Sequence, residues 1–475
     1  MLADGKLGYK QIFKLPNEKS SNCLTKLFYY TVFQIFLLFL RRVIKMQNME
    51  GENGYVRRVA DALLELQLEA AGVVLIEGAK WCGKTTTAIQ QARSVVFMDE
   101  PKRKEEYMRL AQTDIDVLLA GNAPRLIDEW QKAPQIWDAC RYIVDRRGKD
   151  GQFILTGSAE PADQSKLEHT GTGRVGWVRM RPMSLYESGE SNGSVSLGEL
   201  FEGHFKSAEA HELNLRDLCY LVCRGGWPKA IGKSERAALR QAFNYVDAVA
   251  KREIIEVDAV HRSETNTRRL LRSYARHQAT QASNGTIVAD LKANEGDILN
   301  DATVASYLNA LRKIFVIEDM EAWNPNLRSK AAIRTTDTRY FVDPSIATAA
   351  LGLGPSDLMK DLNTLGLFFE TLAVRDLRVY ADAIDGSLFH YRDNNGLECD
   401  SVLHLRNGHY GLIEIKLGGE TLIEEGAANL KLLAKKIDTG KMPEPSFKMV
   451  IVGTGQYAYR REDGVMVVPI GCLKY

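Results

Sequence analysis

Runs of consecutive apolar residues dominate the part of the chain between residues 70 and 160. Val73–Glu77 (VVLIE) and Arg125–Asp128 (RLID) are short and rich in β-branched or aliphatic residues, and Gln152–Ser158 has the same character. Strands that are covered on both faces show such continuous runs, whereas half-exposed strands alternate apolar and polar positions. The pattern predicts an α/β domain built on a parallel sheet.

Helical spacing of apolar residues follows further along, in residues 238–260 and 267–277. Asn300 and Asp301 then open a short amphipathic segment that ends at Lys313 and leads into the apolar stretch 314–318. A capped helix followed by a β-ribbon is typical of a winged helix-turn-helix. Two interpretations stay open, because basic residues cluster at 262–276 but acidic residues follow the helix directly: DNA binding, or packing and partner binding.

The pattern in the last part of the chain, after about residue 365, predicts a small α/β domain. Residues 367–377 form an amphipathic helical pattern, and residues 401–405 and 410–416 are strand-like. At 475 residues the chain is long enough for about three domains. We expect the following division: 1–48, an extension that is disordered or not native; 49–190, the α/β domain with the parallel sheet; 191–235, a linker or lid; 236–345, a helical and winged-helix-like domain; and 346–475, the small α/β domain.

Composition narrows the class of protein only slightly. The net charge is +1 and charged residues make up 26% of the chain, so the whole protein is not a polycation. The seven cysteines are scattered and odd in number, which argues against a disulfide framework and favours a reducing cytoplasm. Cys219 and Cys223 could share a helix face, but a second ligand pair for a metal is missing from the sequence, so buried structural cysteines are favoured over a metal site.

An apolar run, Leu27–Leu40, precedes the globular pattern. It is shorter than the roughly 20 residues of a spanning helix, and bulky Leu40 leads straight into Arg41 without a cleavage site. We therefore expect no stable membrane insertion. Synthesis that begins at Met46 or Met49 is the preferred interpretation, and a membrane anchor is the alternative.

The strand-like run Val73–Glu77 is followed by Gly78-Ala-Lys-Trp-Cys-Gly83-Lys84-Thr85, a full match to G-x-x-x-x-G-K-[ST]. Gly78 and Gly83 allow the backbone to curl around a phosphate, and the helix that starts here adds the positive end of its dipole. Lys84 is expected to reach the β- and γ-phosphates, Thr85 to ligate Mg²⁺, and Thr86 to lie in the first helical turn. The motif predicts a binding site for ATP with Mg²⁺.

Two further strand ends carry polar residues suited to hydrolysis. Asp128 would hold Mg²⁺ through water, and Glu129 would polarise the attacking water. Thr156 and Ser158 end the third strand and are the candidates to read the γ-phosphate.

These three strands resemble the AAA family. The segments Gly171-Thr-Gly-Arg174-Val175 and Arg181-Pro-Met-Ser-Leu-Tyr-Glu187 resemble one prokaryotic branch, in which a P-loop ATPase precedes a domain of unknown function with a restriction-endonuclease-like core. The resemblance implies that Arg174 senses or stabilises charge on the γ-phosphate, with a surface salt bridge as the alternative. Members of this branch often have an arginine in the P-loop, where this chain has Lys80-Trp81.

The C-terminal part resembles the PD-(D/E)xK nuclease core. Glu370 lies on the helix, Asp400 opens a strand, and Glu414 and Lys416 share one face of the next strand, since strand side chains alternate. The resemblance implies that Glu370, Asp400 and Glu414 hold Mg²⁺ while Lys416 orients water. Tyr391, Arg392 and Lys431, Lys435 and Lys436 could then meet a phosphate backbone.

Two functions follow from these predictions. In one, ATP drives or gates cleavage of DNA or RNA by the C-terminal core. In the other, the chain is an ATP-dependent switch that binds a protein partner, and the nuclease-like core is inactive. We also expect that the chain can form a homo-oligomer.

Overall fold

The computed structural model describes residues 54–157, 173–258, 260, 262–296, 299–325 and 333–475. Contacts divide the chain into two units, Met1–Arg57 and Arg58–Tyr475, and every element below belongs to the second. The predictions for residues 1–45 and for Ser158 lie outside the described residues. Within the described parts of the chain, no helix is both long and apolar enough to cross a membrane.

The first part of the second unit alternates helices and strands, as the apolar runs predict. Its helices are α1 (Val59–Ala70), α2 (Lys84–Gln91), α3 (Lys104–Thr113), α4 (Ile115–Leu119) and α5 (Gln135–Arg147), and its strands are β1 (Val73–Glu77), β2 (Ser94–Phe97), β3 (Arg125–Asp128), β4 (Phe153–Gly157) and β5 (Val175–Arg179).

These five strands form one parallel sheet in the order β2-β3-β4-β1-β5. Alternate residues of the central strands enter two different apolar clusters: Val73 and Leu75 lie in one, and Val74 and Ile76 in the other. Both faces are thus covered, which is why the strands read as unbroken apolar runs. All carboxyl ends of the strands meet at one edge, where Glu77 lies opposite Gly157 and Asp128 lies opposite Thr156.

The middle of the chain is mainly helical. Its elements are β6 (Val195–Ser196), α6 (Leu197–Phe201), β7 (Ala208–Glu209), α7 (Leu215–Arg224), α8 (Glu235–Ala248), a π-helical turn (Val249–Glu253), α9 (Ile254–Glu256), α10 (Glu264–Arg276), α11 (Asn284–Asn294), α12 (Asp301–Lys313), α13 (Pro344–Leu351) and α14 (Pro355–Leu358).

The predicted winged helix is not confirmed. The helix α12 forms with Asn300 as its cap, whose Oδ1 accepts a hydrogen bond from the Thr303 backbone N–H at 2.8 Å. The described residues that follow make isolated bridges, Ile317 with Phe341 and Met320 with Thr338, in place of a regular ribbon. The acidic side chains after α12 are used internally, because Asp319 pairs with Arg312 and Arg339. The segment therefore packs against its own chain.

The basic cluster on α10 is also neutralised internally. Arg268 pairs with Asp247 and Glu264, Arg272 with Glu295, and Arg276 with Asp290 and Glu295. A nucleic-acid-binding face needs cations that are free to meet phosphates. These pairs favour the packing interpretation of this region over DNA contact.

The C-terminal part contains α15 (Leu362–Ala383), β8 (Gly386–Arg392), β9 (Glu398–Leu405), β10 (Tyr410–Lys416), α16 (Glu420–Lys436), β11 (Phe447–Val452), β12 (Tyr457–Arg460), β13 (Met466–Pro469) and β14 (Leu473–Lys474). Its seven-stranded sheet has the order β7-β12-β13-β11-β10-β9-β8. Strands β8, β9 and β10 form an antiparallel meander, and β10, β11 and β13 run parallel.

The segment predicted as a linker is part of this sheet. Strand β7 pairs with β12, and β6 pairs with β14 at the end of the chain. Trp227, at the end of the predicted linker, is 1% exposed in a core cluster that runs from Val59 to Leu473. Residues 191–235 therefore join the middle and C-terminal parts to one core.

Candidate nucleotide site and C-terminal carboxylate cluster

The loop between β1 and α2 has the backbone shape that its glycines predict. Gly78 and Gly83 have φ angles of +147° and +108°, which residues with a Cβ rarely adopt. A Cβ on Gly78 would lie 1.9 Å from the Met180 carbonyl oxygen. Only glycine fits at this position, because the chain after β5 passes directly beside the loop.

Lys84 begins α2, and its side chain turns back across the loop. Its Nζ donates hydrogen bonds to the carbonyl oxygens of Gly78 at 2.8 Å and Ala79 at 2.9 Å. The residue is buried, so its charge is held at the loop instead of in bulk water. Thr86, in the same first turn, is exposed.

Asp128 connects the loop to the neighbouring strands. Its Oδ1 accepts hydrogen bonds from the hydroxyl of Thr85 at 2.7 Å and from the hydroxyl of Thr156 at 2.6 Å. The sheet order brings these residues together, since β4 lies between β1 and β3. Hydroxyl and carboxylate oxygens at this edge are the donor types that Mg²⁺ prefers, so Thr85 and Asp128 fit the predicted metal ligands.

Glu129 follows β3 in a left-handed conformation, with φ of +58°. Its backbone N–H donates to the Thr156 carbonyl at 2.8 Å, which fixes the turn. The Gln131 Nε2 donates to Glu129 Oε2 at 2.6 Å. Burial raises the pKa of Glu129, and the nearby Asp128 raises it further. A desolvated carboxyl beside the phosphate-binding loop is suited to polarise water.

Sequence reasoning missed Gln131, and the only signal for it was its position two residues after the two acids. The glutamine is the residue that orients Glu129, while its other amide atom, Oε1, is buried without a hydrogen-bond partner.

Arg174 lies at the opposite edge of the sheet from the loop. It immediately precedes β5, which runs parallel to β1 with Val175 opposite Val73. One strand length, about 16 Å at 3.3 Å per residue, separates it from the carboxyl edge. Its Nε donates to Asp145 Oδ1 on α5 at 2.7 Å. The ion pair agrees with the alternative interpretation of Arg174 as a surface salt bridge, and a role of Arg174 at the γ-phosphate stays a prediction.

The C-terminal structure brings together three of the four predicted residues in direct contact. Asp400 on β9 lies beside β10, and the Lys416 Nζ is 3.0 Å from Asp400 Oδ2 and 2.6 Å from Glu414 Oε2. The backbone N–H of Ile415 also donates to Asp400 Oδ2 at 2.7 Å. The ammonium of Lys416 therefore occupies the place between two carboxylates where the resemblance implied a metal ion.

Glu370 lies on α15 and accepts a hydrogen bond from the Tyr340 hydroxyl at 2.5 Å. Burial and the neighbouring Asp400 raise the pKa of Glu370 to about 8. The same two causes raise the pKa of Glu414 well above its ordinary value. Both shifts follow from carboxyl groups that are buried close to one another.

The prediction of a second metal site is not confirmed. In the parts of the chain that the structure describes, no group of three or more His, Cys, Asp or Glu residues is arranged to hold a metal ion. Asp400 and Glu414 pair with Lys416, and Glu370 accepts a hydrogen bond from Tyr340. Cys219 and Cys223 are likewise buried in the core, as the structural interpretation predicted.

The predicted phosphate contacts in this region are already paired within the chain. Lys431 contacts Asp463 at 2.7 Å, and Lys436 contacts the buried Asp393 at 2.6 Å. Arg392 pairs with Glu398 at 2.9 Å. None of these three side chains presents an uncommitted charge.

Comparison with known families divides the described region into three. Residues 70–189 match the AAA domain, residues 215–357 match a domain of unknown function (DUF8612), and residues 365–473 match another domain of unknown function (DUF4143). The AAA match coincides with the sheet and loop described above. Residues 70–189 are therefore an AAA-type P-loop ATPase domain, and the chain carries a DUF4143 domain at its C-terminal end.

Two curated relatives span most of the chain. Uncharacterised proteins of Mycobacterium bovis and Mycobacterium tuberculosis are each 23% identical over 416 residues, which is 87% of this chain and 83% of each relative. Among solved structures, the Walker-type ATPase PABY2304 of Pyrococcus abyssi is 15% identical with a TM-score of 0.40, covering 64% of this chain and 97% of its own. The ORC2 protein of Aeropyrum pernix, solved in ADPNP–ADP complexes, is 13% identical with a TM-score of 0.29, covering 57% and 90%.

Proposed function

We propose that this protein is an ATP-dependent switch that binds ATP with Mg²⁺, hydrolyses it, and transmits the nucleotide state to its C-terminal domain. The observation that carries the proposal is the hydrogen-bonded set of Thr85, Asp128 and Thr156 beside Lys84 and Glu129. All five residues lie at the carboxyl edge of a parallel sheet, the usual place for ligands in α/β folds.

Each side chain has a separate task in this proposal. Lys84 neutralises charge on the β- and γ-phosphates, and the N–H groups that open α2 bind the phosphate oxygens. Thr85 and Asp128 would hold Mg²⁺, which supplies positive charge to the phosphates. Glu129, oriented by Gln131, accepts a proton from the attacking water, and its raised pKa makes it the stronger base.

A buried arginine connects the loop to the rest of the protein. The Arg58 Nη1 donates to the Cys82 carbonyl of the loop at 2.8 Å, and its Nη2 donates to the Arg181 carbonyl at 2.9 Å. Its Nε also pairs with Glu187 at 2.9 Å. A displacement of the loop backbone is thereby passed to the segment after β5.

Arg181 extends this connection to the C-terminal helix. Its guanidinium donates to both carboxylate oxygens of Glu318, at 2.9 and 2.7 Å, and to Asp382 Oδ2 at 2.5 Å. Asp382 lies on α15, the helix that also carries Glu370. One rigid helix therefore joins the edge of the ATPase domain to the carboxylate cluster, which supports communication between them.

The C-terminal domain then serves as the responding part. Lys416, paired with both Asp400 and Glu414, favours a binding or structural role over metal-dependent cleavage. In this proposal the C-terminal domain binds a protein partner, and that binding depends on which nucleotide the ATPase domain holds. Cleavage of nucleic acid is the alternative that the sequence predicted.

Three measurements on the purified full chain test the proposal. ATP hydrolysis should require Mg²⁺, and hydrogen exchange in α15 and β10 should differ between ADP and a non-hydrolysable ATP analogue. Asp382→Asn should abolish that difference in exchange while hydrolysis continues. Incubation with DNA and RNA panels in Mg²⁺ or Mn²⁺ should give no cleavage. Cleavage that is lost in Asp400→Ala would overturn the switch in favour of a nuclease.

A further inference from the structure

We propose that Lys80 is a second lysine ligand of the γ-phosphate, positioned by Glu253, and that this contact links ATP binding to the helical middle of the chain. The inference rests on the proposed function, because it requires ATP to bind at the loop. It gives Lys80 the contact with the γ-phosphate that the family resemblance implies for Arg174. The phosphate-binding loop of this protein would thus carry two lysines with different tasks.

The position of Lys80 in the loop supports this role. It is the third residue of the segment Gly78–Lys84, and its backbone follows directly on Ala79, whose carbonyl accepts the Lys84 ammonium at 2.9 Å. Lys80 and Lys84 therefore belong to the same phosphate-binding loop, on either side of the Trp81–Gly83 backbone. A phosphate bound in this loop would lie beside both residues.

Glu253 holds the lysine in place. The Lys80 Nζ lies 2.6 Å from Glu253 Oε1, and this carboxylate is its one ion-pair partner among the described residues. An ammonium has three N–H donors, so two remain for phosphate oxygens while the pair persists. Lys80 is 37% exposed, which leaves it accessible to a ligand.

The backbone that carries Glu253 has an unusual shape. Val249–Glu253 forms a π-helical turn between α8 and α9. Such turns are rare, and they occur frequently at functional sites. Glu253 is the last residue of this turn, so the ion pair attaches the loop directly to the π-helical segment.

A second contact runs beside the ion pair. Trp81 has a left-handed backbone, with φ of +67°, and its ring meets Tyr245 of α8 edge-on at 5.6 Å. Tyr245 in turn stacks on the buried Trp227 at 4.3 Å. The consecutive residues Lys80 and Trp81 therefore both attach the loop to the helical middle, one through charge and one through aromatic packing.

The selectivity between ATP and ADP tests the proposal, because ADP lacks the γ-phosphate. We expect Lys80→Ala to weaken binding of a non-hydrolysable ATP analogue roughly 10- to 100-fold, the loss of one hydrogen bond to a charged group, while ADP affinity stays unchanged. Lys80→Arg should retain most of the selectivity. Lys431→Ala is the matched control, since Lys431 forms a similar ion pair at 38% exposure far along the chain.

Glu253→Gln tests the positioning role separately. It should lower the affinity for the ATP analogue by less than Lys80→Ala does, and leave ADP affinity unchanged. Equal loss of ATP-analogue and ADP affinity in Lys80→Ala, or no loss of either, would overturn this inference and leave the proposed function standing. Failure of the unmodified chain to bind either nucleotide would instead overturn the proposed function.

Discussion

The nucleotide site and the C-terminal cluster contain the same residue types in different electrostatic states. Each has a lysine near acids at the ends of strands. In the first, Lys84 donates to backbone carbonyls while Asp128 accepts from two hydroxyl groups, so no ion pair forms between them. In the second, Lys416 is paired with both Asp400 and Glu414. Charges that are not paired with each other are available to a ligand, whereas the charges of the second cluster are already neutralised by each other.

The largest expected effect comes from a substitution in the nucleotide site. Lys84→Ala removes the buried cation of the phosphate-binding loop and should abolish nucleotide binding, as measured by calorimetry. Lys416→Ala should leave nucleotide affinity unchanged. Unchanged ATP affinity in Lys84→Ala would show that the nucleotide site is placed wrongly.

Glu129→Gln separates binding from chemistry within the nucleotide site. The amide keeps the volume and leaves the Asp128 contacts intact, so nucleotide affinity should be preserved. Hydrolysis should fall by roughly 100-fold or more, the typical contribution of a general base. Single-turnover measurements with Mg²⁺ check this, and a rate close to that of the unmodified protein would exclude Glu129 as the base.

The C-terminal cluster should make the stability of the folded chain depend on pH. The pKa of Glu370 is raised to about 8 in the folded chain, above its unfolded value, so the folded state binds the proton more tightly. Stability should therefore decrease as pH rises from about 5 through 8. In Glu370→Gln this decrease should be smaller, because the amide does not titrate. Denaturant unfolding at pH 5, 6.5 and 8 compares the two proteins, and parallel curves would contradict the assignment.

Arg174→Ala should have the smallest effect. Its ion pair with Asp145 is exposed, and such pairs contribute about 0–1 kcal/mol to stability. The rate of hydrolysis should change less than about twofold, since the side chain lies at the far edge of the sheet. A loss of tenfold or more in steady-state hydrolysis would show that Arg174 acts on a nucleotide after all.

Local sequence signals predicted the phosphate-binding loop and its flanking elements well, because a strand, a glycine-rich loop and a helix follow one another without interruption. The strand ends at Asp128 and Thr156 were equally readable. Contacts between distant residues could not be predicted from the sequence. Arg58 meets Glu187 across 129 positions, and Arg181 meets Asp382 across 201. The place of Arg174 was not readable either, because a motif gives the order of residues and not the edge of the sheet. Arg174 precedes β5 and so lies at the amino edge of the parallel sheet, one strand length from the carboxyl edge.

The metal prediction for the C-terminal domain stays a prediction, because sequence order does not specify side-chain contacts. The order of Glu370, Asp400, Glu414 and Lys416 along the chain is compatible with a cation bound by three carboxylates. It is equally compatible with an internal ammonium that takes the cation's place, and the choice depends on side-chain conformations that spacing does not specify.

The short strands β6 and β7 have a consequence for how this protein can be dissected. They come from the segment after the ATPase domain, yet they cover the edge strand β12 and the chain end β14. Expression of residues 365–473 alone would leave those backbone groups bare, and uncovered strand edges promote aggregation. During synthesis, Ala208 of β7 precedes its partner Ala458 by 250 residues, and Val195 of β6 precedes its partner Leu473 by 278. Strands β6 and β7 can pair only after β12 and β14 have been synthesised. A premature stop near residue 450 would therefore leave β6 and β7 unpaired, although they are translated long before it.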